Sequence, residues 1–470
     1  MTQRTIPLTQ PTPTHRSGRR ISVLEAITAV AMVAALLAVG ARATGRLPDE
    51  RTAAIPDQPT RLLQMDRTWD GTQMRWQGFL RTLDPATGAE TGEPLPLRLP
   101  GDGSIRPVFS ADGRTVAYTD TQPPLTPPGV KQPASIVTVA DSVTGAIRWT
   151  LPFDLSTFVM RLNSDGSRLM LYRLSTGQHS PFTLLTVDVA SGATLSTIML
   201  PFGSDAWPTI APDLRTAYVL DTHNTGTWPN VTSGDVTLYL IDTTTGAQRT
   251  VPLPMVHAGV FPTDRTVHGQ PVIRSFSPGI VASPDSKWLY IVHPGANAIT
   301  VINLKEGRVE RTESIHPTLS AARQLFGWLM PQRVAAKEAP ESTDTQATVS
   351  PDGRTLAITG TMVHPQDDGS YDVTDEGIQF VDLRTFTETA HLLQRQYQGY
   401  ARSLNVQWSA DGRLLYIGNV ISSTTPDDST DAYQLRIMDV RSHAITATQT
   451  YVAEIPTTVY LLATWFALPQ

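Results

Sequence analysis

Cysteine is absent from this chain. That single absence removes disulfides, thiolate metal sites, iron–sulfur clusters and cysteine nucleophiles. Charge is also scarce: 17% of residues are Asp, Glu, Lys or Arg, and their balance is acidic, at a formal net charge of -6. Nucleic acid, whose phosphates need a basic face, is therefore not an expected partner. Three enzyme signatures are missing as well. There is no Gly-x-Ser-x-Gly elbow, no Gly-x-x-x-x-Gly-Lys phosphate loop and no His-Glu-x-x-His pair. Paired carboxylates brought together from distant segments are not tested by such patterns.

What is present begins with the N-terminus. Residues 1–20 carry Arg4, Arg16, Arg19 and Arg20 and no acid, and an apolar run follows from Ile21 to Ala43, broken only by Glu25 and Arg42. The uncharged part, Ala26–Ala41, is 16 residues long, just under the roughly 17–25 that span a bilayer. Including Ile21–Leu24, with Glu25 reaching toward the interface, gives a full span. The expected organisation is a basic cytoplasmic tail over 1–20, a single transmembrane helix or signal anchor over 21–43, and a linker over 44–59. The positive-inside rule then places the remainder outside the cytoplasm, on the cell membrane. The rival reading is a cleaved signal peptide with Ala41-Arg42-Ala43 as a small-x-small site; both readings export the rest of the chain.

From there on, two turn motifs alternate. One reads Ser-x-Asp-Gly or a variant: Ser110–Gly113, Asn163–Gly166, Ala211–Asp213, Ser283–Asp285, Ser350–Gly353 and Ser409–Gly412. The other reads Asp-x-x-Thr-Gly or a worn form: Asp84–Gly88, Asp141–Gly145, Asp188–Gly192, Asp242–Gly246, Asn303–Gly307, Asp382–Phe386 and Asp439–His443. A β-branched or aromatic run, such as Trp288–Ile291, follows the first kind of turn, and another, such as Ile299–Ile302, precedes the second. Strand, turn, strand, loop, strand, turn, strand is the order of a four-stranded propeller blade. Six units are complete, over 105–152, 157–200, 207–254, 278–315, 346–394 and 404–452. The strands around Asp84 lack an inner partner, and the apolar segment Thr457–Phe466 lacks a turn pair. The expected fold is therefore all-β: a seven-bladed β-propeller over 60–470, with six complete blades and one composite blade closed by both ends of the chain.

The alternation of Ser-Pro-Asp-Gly, a Leu-Tyr-Ile strand and Val-Ile-Asp-x-x-Thr-Gly, clearest over Ser283–Gly307 and Ser350–Asp382, resembles the YVTN-type and TolB-like β-propeller repeats of bacterial exported proteins. The resemblance implies the fold. It fixes no activity, because such propellers include binding scaffolds, sensors and some enzymes.

Hairpin geometry sorts the loops by face. The repeated Asp and Gly residues all fall on one face, where turn formation accounts for them. The irregular insertions fall on the other: 121–134, 221–235, 255–277, 316–345, 364–376 and 421–432. Long connections on one side of a rigid scaffold are where binding evolves, so the candidate binding residues are His223, Trp228, His257, His268, His293, Phe326 and Trp328. The histidines show no metal-ligand spacing, and neither a metal, a cofactor nor a catalytic residue is assigned. The expected function is a non-catalytic binding or scaffolding module for a protein, peptide or glycan, monomeric and attached to the membrane through its N-terminal helix. The alternative is a propeller enzyme, either a lactonase-like hydrolase or a metal-dependent oxidoreductase.

Overall fold

The computed structural model describes residues 60–69, 74–84, 86–97, 107–110, 113–120, 133–163, 165–174, 182–200, 208–226, 231–267, 270–295, 297–316, 342–365, 371–392, 405–409, 411–421, 432–452 and 458–462. The tail, transmembrane helix and linker expected over 1–59 lie outside these residues. Among the described residues no helix is long and apolar enough to cross a membrane.

The turn motifs build the hairpins. At Ser350 the hydroxyl donates to Asp352 Oδ1 (2.6 Å) and accepts the Thr355 N–H (2.9 Å), while Asp352 Oδ1 also accepts the Arg354 N–H (3.0 Å). The same three bonds recur at Ser409. In the second motif, Asp141 Oδ1 accepts the N–H groups of Val143 and Thr144, each at 2.9 Å, and Gly145 closes the turn with its N–H on Asp141 O (2.8 Å). Gly145 does so at φ 72°, the left-handed region that glycine enters without a Cβ penalty. The repeated Asp side chains thus satisfy backbone donors within their own turns.

In chain order, the strands begin with β1 (Thr60–Trp69), β2 (Met74–Leu83) and β3 (Leu95–Leu97). The next set is β4 (Val108–Phe109), β5 (Thr115–Asp120), β6 (Ser135–Asp141) and β7 (Ile147–Phe153), followed by β8 (Thr157–Leu162), β9 (Arg168–Arg173), β10 (Phe182–Asp188) and β11 (Thr194–Leu200). Then come β12 (Pro208–Ile210), β13 (Thr216–Asp221), β14 (Thr237–Asp242) and β15 (Gln248–Pro252). An extra hairpin, β16 (Gly259–Val267) and β17 (Gln270–Ser277), precedes β18 (Gly279–Ala282), β19 (Trp288–Val292), β20 (Ala298–Asn303) and β21 (Arg308–Ser314). The chain continues with β22 (Ser342–Val349), β23 (Thr355–Pro365), β24 (Tyr371–Asp382) and β25 (Thr387–Leu392). It ends with β26 (Asn405–Trp408), β27 (Leu414–Ile421), β28 (Ala432–Asp439), β29 (Ala444–Val452) and β30 (Thr458–Leu462).

These strands form an all-β propeller of six regular four-stranded sheets and one six-stranded sheet. The expected seven-bladed propeller, of six complete blades and one composite blade, is corrected on this point: the structure has six four-stranded blades, and the remaining sheet is six-stranded. The unit expected over 346–394 is the meander β22–β25, but it belongs to the enlarged sheet. There β17 runs parallel to β22 and pairs Ser275–Ser277 with Ser342–Asp344, adding the β16–β17 hairpin. The sheet formed by the N-terminal strands is completed by β30, which pairs antiparallel with β1 from Arg61↔Leu462 to Met65↔Thr458.

Packing orders the sheets around the ring. Ala117 and Val139 meet Leu169 and Leu171; Tyr172 and Phe182 meet Ile210 and Val219; Leu238 and Leu240 meet Leu289 and Ile302. Farther round, Val292 and Val301 meet Leu356 and Val381; Phe380 meets Trp408 and Met438; and Leu435 and Ile437 meet Leu83. Each cluster joins one sheet to the next, so the core is a series of sheet-to-sheet interfaces, in which each large side chain contributes about 1.5–3 kcal/mol by burial. The first strands of successive sheets also touch, β18 with β22, β22 with β26 and β26 with β30. The fourth strands, such as β7 and β21, are largely exposed, which puts them on the rim.

The turns on the regular face lock onto the neighbouring rim. Trp149 Nε1 donates to Val189 O (2.8 Å), and Arg249 donates to Leu304 O (2.8 Å) and Lys305 O (3.0 Å). On that face these side chains serve structural bonding between neighbouring sheets.

Candidate functional site

Two of the insertions carry the candidate site. The first leaves β13 at Asp221, whose Oδ1 accepts the N–H of His223 (2.8 Å). This Asx-type turn holds His223 at φ 48°. Asp221 Oδ2 lies 3.2 Å from His223 Nδ1, and Nε2 lies 3.1 Å from Thr237 Oγ1. Thr237 stands opposite Asp221 in the β13–β14 register, so the carboxylate, the imidazole and the hydroxyl form a short chain across one hairpin. Beyond it, Thr225 and Thr232 exchange backbone bonds of 2.8 and 2.9 Å, closing the base of a small loop. Trp228 lies outside the described residues.

The second insertion, 255–277, is not the irregular connection the sequence suggests; it is the β16–β17 hairpin. It docks on the first through Ser233, whose N–H donates to Val260 O (2.9 Å) and whose Oγ accepts the Val260 N–H (2.7 Å). Ser233 Oγ donates in turn to Asn224 Oδ1 (2.5 Å), which also accepts from Thr222 Oγ1 (2.9 Å). The two insertions are therefore stitched together by side chains of the first.

Across the hairpin, Phe261 opposes Arg274 and Gly259 opposes Phe276, so Phe261, Arg274 and Phe276 share one face. The ring of His257 joins them. It stacks on Phe261 at 4.5 Å between centroids and 14° between planes, and tilts against Phe276 at 4.6 Å. These residues, with Pro262 and Thr263, line a cleft of about 370 Å³. Arg274 Nε is buried there without a hydrogen-bond partner. Among the described residues the lining includes a guanidinium and no carboxylate.

No family model matches the chain, and no curated protein matches it. Among solved structures, Kuenenia stuttgartiensis hydrazine synthase aligns over 71% of this chain and 75% of that chain, with 18% identity and a TM-score of 0.40. The Cps50 (Swd1) β-propeller domain of Myceliophteria thermophila aligns over 75% of this chain and 87% of that chain, with 11% identity and a TM-score of 0.39. Likeness of this degree assigns neither family nor activity; the propeller rests on the sheets described above.

The candidate residues are thus distributed unevenly. His223 and His257 fall on the two stitched insertions. His293 is 6% exposed, inside a blade, where its Nε2 meets Thr300 Oγ1 at 2.7 Å and Thr300 meets Thr312 Oγ1 at 2.9 Å. Burial lowers the pKa of His293. Its position is that of a satisfied core histidine, away from the cleft lining. His268, Phe326 and Trp328 lie outside the described residues. Segment 364–376, expected as an irregular insertion, is in large part strand: β23 and β24 pair as far as His364↔Asp372 and Pro365↔Tyr371. Among the described residues no cluster of three or more His, Asp or Glu is placed to hold a metal ion. Phe261, Arg274 and Phe276 were not among the sequence candidates. Their signal was the alternation Val272, Arg274, Phe276 in a run that carries neither turn motif.

Chemically, the cleft offers aromatic walls and a guanidinium, a combination suited to recognition.

Proposed function

We propose that this chain is a membrane-tethered, exported propeller of the YVTN or TolB-like kind that works as a non-catalytic binding module for a protein, peptide or glycan. The observation that carries this reading is the stitching of two insertions through Ser233 and Val260 beside the aromatic cleft. A rigid scaffold holding a preorganised concave surface is the usual arrangement for binding. The N-terminal apolar run supports the tether, and its basic flank supports export of the propeller.

Peptide and glycan arrays probed with the full chain and with a His257→Ala, Phe261→Ala, Phe276→Ala variant test the binding role. Ligands retained by the full chain and lost by the variant, at unchanged melting temperature, are the expected result. Equal retention by both would overturn it. Protease accessibility of the propeller in intact cells tests the topology.

One observation favours the hydrolase alternative: the chain of Asp221, His223 and Thr237. On that reading Asp221 orients the imidazole and His223 takes the hydroxyl proton of Thr237. Lactone or ester hydrolysis abolished by His223→Ala would replace the binding reading with this one.

A further inference from the structure

We infer that the β16–β17 cleft takes a carboxylate carried on an apolar body, with Arg274 as its anion partner. This rests on the binding reading above and specifies its ligand. Three observations converge. Arg274 lines the cleft, and its Nε is buried without a hydrogen-bond partner, so the fold itself leaves the guanidinium incompletely satisfied. Among the described residues lining the cleft there is no acid to neutralise the guanidinium, although the chain as a whole is acidic at -6. And the walls beside Arg274 are the rings of His257, Phe261 and Phe276, packed at centroid distances of 4.5 to 6.0 Å.

The register explains why these groups act together. Phe261 directly opposes Arg274, and Phe276 lies two residues farther along the same strand. An apolar group resting on the rings would therefore place an attached carboxylate beside the guanidinium. Carboxylate is the best geometric match, because the planar guanidinium offers N–H donors in a fork that two carboxylate oxygens can accept together. Size sets the rest. A cleft of about 370 Å³ is at the lower end of the roughly 300–1,000 Å³ of small-ligand sites. It has room for one residue-sized unit: the C-terminal residue of a peptide, or a small free organic acid. A surrounding net negative charge makes long-range capture of anions unfavourable, so selectivity for this ligand must come from the local pairing with Arg274.

Isothermal titration of the full chain with N-acetyl-phenylalanine and with its uncharged amide tests this. The acid is expected to bind more tightly than the amide by about 10- to 100-fold, the effect of one charge-assisted pair. Arg274→Gln is expected to abolish that preference by bringing affinity for the acid down toward that for the amide. A tetrapeptide ending in a free Phe carboxylate, compared with its amidated form, separates the two sources: a peptide C-terminus gains affinity with length, whereas a small-acid site does not. Acid and amide binding alike, or no acid binding at about 10 mM, would overturn the proposal. The acid–amide comparison needs no variant, so a folding defect in Arg274→Gln leaves the test intact. Failure here alongside cleft-dependent ligands on the arrays removes only the carboxylate assignment; failure of the arrays removes the binding reading itself.

Discussion

Gly259 approaches Ser233 so closely that a Cβ on Gly259 would stand 2.0 Å from Ser233 Oγ and 3.1 Å from Thr222 Cβ. The residue also has φ 108°, where L side chains are strained. Gly259→Ala therefore combines a backbone penalty with overpacking, together about 2–5 kcal/mol against the docked hairpin. The expected outcome is local. The Val260 amide, which donates to Ser233 Oγ, loses protection in hydrogen exchange, and ligand binding at the cleft falls. The amides of distant β8–β11 stay protected. Unchanged exchange at Val260 would show that the contact is not needed to hold the two insertions together.

Four worn turns put side chains where the repeat has glycine: Leu214, Ser286, Phe386 and His443 have φ of 59°, 54°, 54° and 55°. Left-handed backbone costs an L residue about 1–2 kcal/mol, so restoring glycine relieves every site by a similar amount. The side chains decide the sign. Ser286 belongs to none of the apolar clusters, and Ser286→Gly is expected to stabilise by about 1 kcal/mol. Phe386 is 3% exposed, packs among Ile315, Leu356 and Val381, and has the Arg311 guanidinium 4.6 Å from its ring centroid. Losing that ring costs about 3–5 kcal/mol, so Phe386→Gly is expected to destabilise by roughly 2–4 kcal/mol despite the same backbone relief. Denaturant melts of the two variants check the opposite signs.

Acid stability divides into two windows. The Thr87 hydroxyl lowers the pKa of Asp84, the backbone N–H of Thr245 that of Asp242, and the Ser442 hydroxyl that of Asp439. A lowered folded-state pKa means that the unfolded chain takes up the proton first. The turn stabilisation is therefore fully present above about pH 4 and is lost as pH falls through the folded values. His293 behaves likewise in a higher window. Burial lowers its pKa, so its contribution is present above about pH 6.5 and is lost as pH falls from there toward the folded value. Melting temperature measured against pH is expected to decline in two stages, and His293→Gln should remove the upper stage and leave the lower one. A His293→Gln profile parallel to that of the unsubstituted chain would mean that His293 protonates in the fold without penalty.

The regular part of this fold was legible because its turns are chemically explicit. Asp at the start and Gly at the end of each hairpin announce the bonds that Asp141 and Gly145 make, and each of the six complete units coincides with a meander of four strands. The β16–β17 hairpin was hidden for the same reason: Pro262 and Pro271 interrupt it and neither motif marks its turn, so its pairing depends on β22, distant in sequence. The site was partly visible. His223 and His257 stand out as residues that break the repeat, whereas the roles of Arg274 and Phe276 follow from cross-strand register, which one strand's sequence does not disclose. The burial of His293 was not legible, because a strand-end histidine reads the same whether it faces solvent or, as here, Thr300.

Closure of the ring depends on β30. Its five register pairs with β1, Arg61↔Leu462 through Met65↔Thr458, complete the sheet that β1–β3 leave with an open inner edge. An open edge exposes a row of unpaired N–H and C=O groups and invites pairing with another chain. Ending the chain at Val452 removes β30 and its contacts with β26 and β27. With backbone bonds contributing about 1 kcal/mol each, the loss is on the order of 3–6 kcal/mol, enough to cancel much of a domain's net stability. The expected result is a lower, broader melt and concentration-dependent association in sedimentation. A synthetic peptide spanning Thr457–Phe466, added in trans, should restore the sharp melt by adding its strand to the open edge. A truncated chain that stays monomeric and melts as before would mean that the sheet-to-sheet packing around Leu83 and Ile437 closes the ring without it.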